Sequence, residues 1–127
     1  MEALVYTKDD KEYETIKDVL ETEAELIDVY RETTEEQSSF SHEYDIVVVA
    51  LGGAQGMELV LEYSRRFYDT RLIWITDDAY FAGTAIRHHI YDFIQRPYDR
   101  VTIEGSIKNA VKDCPNRYRW NNRVSSR

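Results

Sequence analysis

Carboxylates follow two apolar segments of this sequence. Asp9 and Asp10 come shortly after the first apolar segment, and Asp77 and Asp78 come directly after Thr76. Carboxylate oxygens are typical ligands of Mg²⁺, so four such groups at one place would form a cation site. Aspartate is also common at helix N-termini, where it accepts hydrogen bonds from backbone N–H groups. The residues leave both interpretations open.

A glycine-rich segment, Gly52-Gly53-Ala54-Gln55-Gly56, precedes a stretch of helical period. Backbone N–H groups at such a turn can hold an anion. It is not a P-loop, since no Lys-Ser or Lys-Thr pair follows, and it lacks the GxGxxG order. We therefore predict a plain strand-to-helix turn. The alternative is a small flavodoxin-like protein that binds an anion or ligand through this turn and Arg96. A flavin would also need aromatic neighbours such as Trp74 and Tyr98, but Trp74 lies inside a predicted strand and is expected in the core.

The other reactive residues show no catalytic pattern. His88 and His89 are adjacent, so on a helix they point about 100° apart and cannot bind one metal ion together. A catalytic thiolate at Cys114 would need a basic partner that the sequence does not show. There is no Gly-x-Ser-x-Gly motif. We expect no enzymatic activity and no cofactor.

Apolar segments alternate with stretches of helical period along the chain. Strands are predicted at 3–7, 25–30, 45–51, 71–76 and 91–95. Helices are predicted at about 9–22, 57–67, 80–88 and 99–113, and a weak short helix or loop at 32–42. Five strands alternating with helices predict an α/β three-layer (βα)5 sandwich around a doubly wound parallel sheet. A ligand or reaction site of such a sheet lies at the carboxyl ends of its strands.

Length and charge narrow the class of protein further. A chain of 127 residues fits one domain, and the single cysteine excludes an internal disulfide, so we expect a cytoplasmic protein. No apolar run approaches the roughly 20 residues of a membrane helix. Residues 1–45 carry 15 acids and 4 bases, which disfavours direct sequence-specific DNA binding. The last 13 residues hold four arginines and no acid, so we divide the chain into a domain at 1–114 and a basic tail or linker at 115–127.

The joint order of four segments resembles the receiver domain of two-component response regulators. The segments are Asp45 to Leu51, Gly56 to Leu59, Leu72 to Thr76 and Tyr91 to Tyr98. The last two, with the residues that follow Thr76, are most similar to receivers found ahead of LytTR-type DNA-binding domains. The resemblance covers about residues 3–113. It implies a flavodoxin-like fold and phosphoryl transfer from a histidine kinase to an aspartate beside a Mg²⁺ ion.

When the family's motif is carried over residue by residue, its reactive groups are missing from this sequence. The phosphoacceptor position falls on Ala50, which has no oxygen nucleophile. The acidic pair that would hold Mg²⁺ falls at Thr7 and Lys8, or at Lys8 and Asp9, so at most one carboxylate remains.

Other positions of the family motif are retained or substituted. Thr76 matches the family's Thr or Ser, and Phe93 takes the position of the switch aromatic residue without a hydroxyl. Arg96 replaces the family's Lys before Pro97; it keeps the charge but has a planar, forked geometry.

The resemblance predicts a degenerate receiver, or pseudo-receiver, that acts through protein contact or dimerisation. In receivers the face around the fourth helix and fifth strand makes such contacts, and here it holds Tyr80, Phe81, Tyr91 and Tyr98. Core packing of these rings is the other interpretation. A Mg²⁺-dependent receiver with a displaced aspartate, such as Asp77 or Asp9, also remains an alternative.

Overall fold

The computed structural model describes residues 1–34, 40, 42–88 and 90–114. It contains five strands: β1 (Glu2–Tyr6), β2 (Asp28–Glu32), β3 (Ile46–Val49), β4 (Arg71–Thr76) and β5 (Asp92–Gln95). The α-helices of this part are α1 (Asp10–Glu23), α2 (Gly53–Arg66), α3 (Ala82–Arg87) and α4 (Arg100–Asp113). A 3₁₀ turn at Ala79–Phe81 precedes α3.

All neighbouring strands pair in parallel, in the order β2-β1-β3-β4-β5. Strand β3 lies at the centre and every residue of it is buried, as its continuous apolar run predicts. The predicted α/β doubly wound fold is confirmed. Among the described residues, no helix is both long and apolar enough to span a bilayer.

Alternate strand residues point to opposite faces of the sheet, and each face has its own core. On one face, side chains such as Val5, Val48 and Ile75 pack with α1 and α4. On the other face, side chains such as Val49 and Trp74 pack with α2 and α3. Helices therefore cover both faces and leave the strand ends as the open edges of the sheet.

Two of the predicted elements are displaced. Strand β2 begins at Asp28, not at residue 25, because Leu26 has a positive φ of 54° and is 84% exposed, which places it in a turn. The glycine-rich segment is not a turn throughout: Gly52 is the N-cap of α2, and the helix already begins at Gly53. Most of the weak helix or loop predicted at 32–42, His89 and the basic tail at 115–127 lie outside the described residues.

Candidate functional site

The carboxyl ends of β1, β3, β4 and β5 border a depression of about 210 Å³. Its lining residues come from the strand ends and from the first turns of α1 and α2: Thr7, Lys8, Asp9, Glu12, Ala50, Leu51, Gly52, Gln55, Asp77 and Arg96. This is the edge of the sheet at which a doubly wound fold places its site.

Ala50 directly follows β3 and is 4% exposed. Its backbone N–H donates to the carbonyl of Tyr6 at 2.8 Å, which continues the pairing of β3 with β1. Its own carbonyl accepts a 2.6 Å hydrogen bond from Nη2 of Arg96. The position that the family resemblance assigns to the phosphoacceptor thus presents a methyl group and a carbonyl oxygen that is already hydrogen-bonded.

Arg96 follows β5, and its peptide bond to Pro97 is cis. The guanidinium forms a two-point pair with Glu12: Nε donates to Oε2 at 3.0 Å, and Nη2 donates to Oε1 at 2.7 Å. A more distant ion pair joins Nη1 to Asp77 at 3.6 Å. Its hydrogen bond to the Ala50 carbonyl uses the same Nη2. The arginine fork therefore links β5, α1 and the end of β3.

Glu12 is a residue of this depression that the sequence reasoning missed. Its side chain is 9% exposed and also accepts hydrogen bonds from the hydroxyls of Thr7 at 2.9 Å and Tyr98 at 2.8 Å. Burial opposes ionisation of this carboxyl, but the hydrogen bonds from Arg96, Tyr98 and Thr7 and the charge of Arg96 outweigh it and lower its pKa. The same bond to Glu12 raises the pKa of Arg96, so both partners are charged at neutral pH.

A sequence signal for Glu12 does exist. The side chains of Ile16, Val19 and Leu20 form the buried stripe of α1, and Glu12 precedes them by four, seven and eight residues. A helical residue at these spacings lies on the same face as the stripe. A carboxylate on a buried face needs a charged or hydrogen-bonding partner, and that requirement could have identified it.

The four aspartates do not converge on one point. Asp9 caps α1 by accepting from the N–H groups of Lys11 and Glu12, and Asp78 caps the 3₁₀ turn by accepting from Tyr80 N–H. Asp10 pairs with Arg31 at 2.8 Å, and Asp77 lies near Arg96. The capping interpretation is therefore correct for two of them.

The residues of the depression do not fit Mg²⁺. Within the described ranges, no three His, Cys, Asp or Glu residues are grouped so as to hold a metal ion. Lys8 and Arg96 bring positive charge to the depression, and the carboxylate of Glu12 is already used by four donor atoms. A divalent cation would compete with these cations for oxygen ligands.

Thr76 and Phe93 occupy strand positions beside the depression without lining it. Thr76 is 1% exposed, and its hydroxyl oxygen accepts from the N–H of Asp78 at 3.3 Å. The ring of Phe93 meets Trp74 edge-on at a centroid distance of 5.6 Å, and Trp74 lies over Phe81 at 5.3 Å. Trp74 is fully buried, which confirms its expected place in the core and makes a flavin contact at its ring impossible in this conformation.

The four aromatic residues expected to share one face are divided by the sheet. Phe81 packs with the core under α2 and α3, whereas Tyr91 and Tyr98 pack with the core under α1 and α4. Burial and a 2.6 Å hydrogen bond to Asp113 raise the pKa of Tyr91 to about 12. Tyr80 differs from the other three because it is 83% exposed.

No protein-family model and no curated protein sequence matches this chain. Solved structures do match it, with low sequence identity. The response regulatory domain of protein mrkE from Klebsiella pneumoniae is 14% identical at a TM-score of 0.73, over 88% of this chain and 96% of that one. The non-phosphorylated HemR receiver domain from Leptospira biflexa is 18% identical at a TM-score of 0.71, over 87% and 93%.

A protein named as an adenylate cyclase, from Rhodopirellula baltica, is 14% identical at a TM-score of 0.73, over 99% of this chain and 98% of that one. Identities this low establish the fold and leave the activity open. The chain has the five-stranded α/β fold of CheY-like response-regulator receiver domains.

Proposed function

We propose that this chain is a degenerate receiver module, of the kind found ahead of LytTR-type domains, which signals by protein contact without being phosphorylated. The proposal includes no enzymatic activity. Only the fold of the matched structures supports the proposal. The name of the adenylate cyclase structure is no evidence of an activity in this chain.

One observation carries the proposal. Nη2 of Arg96 donates both to the carbonyl of Ala50, at 2.6 Å, and to Glu12, at 2.7 Å. A phosphorylated receiver needs a carboxylate at the end of β3 and a free cation to pair with the phosphoryl group. Here the first is a methyl group, and the second is already paired within the chain. Position 50 therefore offers no oxygen that could attack a phosphodonor, and the guanidinium of Arg96 is already paired and is not available as the counter-charge of a phosphoryl group.

Treatment with a small phosphodonor tests the absence of phosphorylation. The chain is incubated with acetyl phosphate and MgCl₂, and its intact mass is recorded beside that of a receiver domain that acetyl phosphate labels, as the positive control. We expect an unchanged mass for this chain. A base-labile phosphoryl adduct would overturn the proposal. Asp77→Asn and Asp9→Asn variants then show whether a displaced aspartate of the depression is the acceptor, since loss of the adduct in one variant identifies it.

For the contact surface, we propose the exposed side chain of Tyr80. The backbone N–H of Tyr80 donates to Asp78, and the ring of Tyr80 meets Phe81 edge-on at 5.9 Å. Exposed aromatic rings of defined position are favourable contacts in protein interfaces. The partner is a second copy of this chain or an effector protein.

Light scattering over a range of concentrations tests the second-copy form of this proposal. Tyr80→Ala should lower the tendency to dimerise. Tyr68→Ala is the matched control, because Tyr68 is 93% exposed and lies after the last turn of α2, away from Tyr80 in the chain. Equal masses for the wild type and the Tyr80 variant, with dimer present in both, would refute the assignment of this side chain to the interface.

A further inference from the structure

Four hydrogen bonds converge on the carboxylate of Glu12. Oε1 accepts from Thr7 and from Nη2 of Arg96, and Oε2 accepts from Nε of Arg96 and from the hydroxyl of Tyr98, all between 2.7 and 3.0 Å. An ionised carboxylate has about four acceptor sites, so this set uses its full capacity. The side chain, 9% exposed, has little access to water as a competing partner.

Without Glu12, Arg96 would face the depression with only the Ala50 carbonyl and a distant ion pair to Asp77 as partners. Its side chain is 23% exposed, and Lys8 lines the same depression. Asp77 is the other described carboxylate near the guanidinium, at 3.6 Å, and it is 75% exposed. The charge of Arg96 is thus neutralised mainly from within the chain, by Glu12.

We propose that Glu12 forms an autoinhibitory contact. Its carboxylate pairs with the guanidinium of Arg96 at the end of β5 and thereby keeps external anions out of the depression. The inference rests on one part of the proposed function, namely that no phosphoryl group forms at this site. It assigns a regulatory role to a helix residue, whereas the proposed function concerns the missing acceptor and the contact surface.

Competition explains why the contact excludes anions. An incoming anion has to displace a two-point, charge-assisted pair that is already assembled, and it has to approach the negative carboxylate while doing so. The anion also loses translational freedom on binding, a loss that Glu12, as part of the chain, does not incur. An external anion of equal charge is therefore the weaker partner of Arg96.

Glu12→Gln removes this competition with little change in size. The amide keeps one acceptor oxygen for Thr7 or Nη2, but its NH₂ group faces Nε of Arg96, and two donors cannot bond to each other. The Tyr98 hydroxyl can turn to accept from the amide. The variant therefore retains most of the packing, frees one side of the guanidinium and removes one negative charge from the depression.

Sulfate titration of ¹⁵N-labelled protein tests the proposal. Sodium sulfate replaces sodium chloride at constant ionic strength, and the Nε–H signal of Arg96 and the amide of Gly53 are followed by NMR. We expect saturable shifts in Glu12→Gln, with an affinity at least about tenfold above that of the wild type, since a competing charge-assisted pair is removed. Glu14→Gln is the matched control, because Glu14 lies on the exposed face of the same helix.

The outcomes separate the two proposals. Equal sulfate affinity in the wild type and Glu12→Gln would overturn the autoinhibitory contact, and so would a Glu12→Gln variant that folds, by its amide spectrum, yet binds no sulfate. A double variant, Glu12→Gln with Arg96→Gln, should lose the gained binding; if it does not, Arg96 is not the anion's partner and the inference fails. None of these results bears on acetyl phosphate labelling, which tests the proposed function by itself.

Discussion

Gly56 gives the sharpest test of how the depression is held in shape. It lies in the first turn of α2, and a Cβ atom added there would sit 2.0 Å from the carbonyl oxygen of Leu51 and 3.6 Å from Nε1 of Trp74. The first distance is far below any real contact of a Cβ atom. Because the obstacle is backbone, no side-chain rotation relieves it, and α2 has to move away from the segment that follows β3.

The size of the effect follows from two opposing contributions. Forcing an extra carbon into a well-packed site costs typically about 1–3 kcal/mol, and this contact is at the severe end. Replacing glycine by alanine within a helix returns about 1 kcal/mol at most. We therefore expect Gly56→Ala to lower the free energy of unfolding by about 2 kcal/mol. With a urea dependence of about 1–3 kcal/mol per molar, the unfolding midpoint should fall by about 1 M.

Gly105→Ala is the matched control for this measurement. Gly105 lies in the middle of α4, and apart from its chain neighbours and the backbone of its own helix, no atom of the described residues lies within 4 Å of a Cβ added there. That substitution should raise the free energy of unfolding by about 0.5–1 kcal/mol, because alanine restricts the unfolded chain and favours the helix. If Gly56→Ala is as stable as the wild type, or is stabilised like Gly105→Ala, the close approach of α2 to Leu51 is wrong.

Substitutions at Glu12, Asp9 and Leu26 test three other local features of the structure. The lowered pKa of Glu12 means that the native state binds fewer protons than the unfolded chain, so its contribution to stability is present above the unfolded pKa of about 4.3 and is lost as the pH falls. In urea unfolding at a series of pH values, the free energy of unfolding of Glu12→Gln should therefore fall less steeply with decreasing pH than that of the wild type. An unchanged pH profile would contradict the lowered pKa of Glu12. Asp9→Ala should cost about 1 kcal/mol by thermal unfolding through loss of the α1 cap, whereas Asp9→Asn should cost less. Leu26→Gly should stabilise the chain by up to about 1 kcal/mol, since φ is positive there and the side chain is exposed; a destabilised variant would refute the turn.

The fold could be predicted because its signals are local and repeated. The apolar runs around Val47 and Ile73 are short and unbroken, as buried parallel strands are, and the intervening stretches have helical period. Strand β2 was displaced because Leu26 and Ile27 are apolar but precede the strand, and backbone dihedral angles are not encoded in an apolar run. The sequence predicts a later start for α2 because glycine disfavours a helix interior, whereas Gly52 serves as the N-cap and the helix begins at Gly53.

The site was less predictable because its main contact joins distant parts of the chain. Arg96 and Glu12 are separated by 84 residues, and Glu12 lies in a segment with many other acids. The family resemblance directed attention to Ala50, to Arg96 and to the aspartates after the strands, since these are motif positions. The helical spacing of α1 places Glu12 on the buried face, but only the packing of α1 on the sheet shows that Arg96 is its partner.

The charges of the depression are best understood as one unit. A cation half-buried at the end of β5 requires a counter-charge close by, because an unpaired charge in a low-dielectric place is strongly destabilising. With an alanine at position 50 and a lysine at position 8, that counter-charge cannot come from the ends of β3 or β1. Glu12 supplies it from the first turn of α1, and Thr7 and Tyr98 fix its orientation. The alanine at position 50, the arginine at position 96 and the inward glutamate are therefore physically linked. A planar guanidinium can bind one carboxylate through two atoms and still reach the Ala50 carbonyl, whereas the compact ammonium group of a lysine has no such fork.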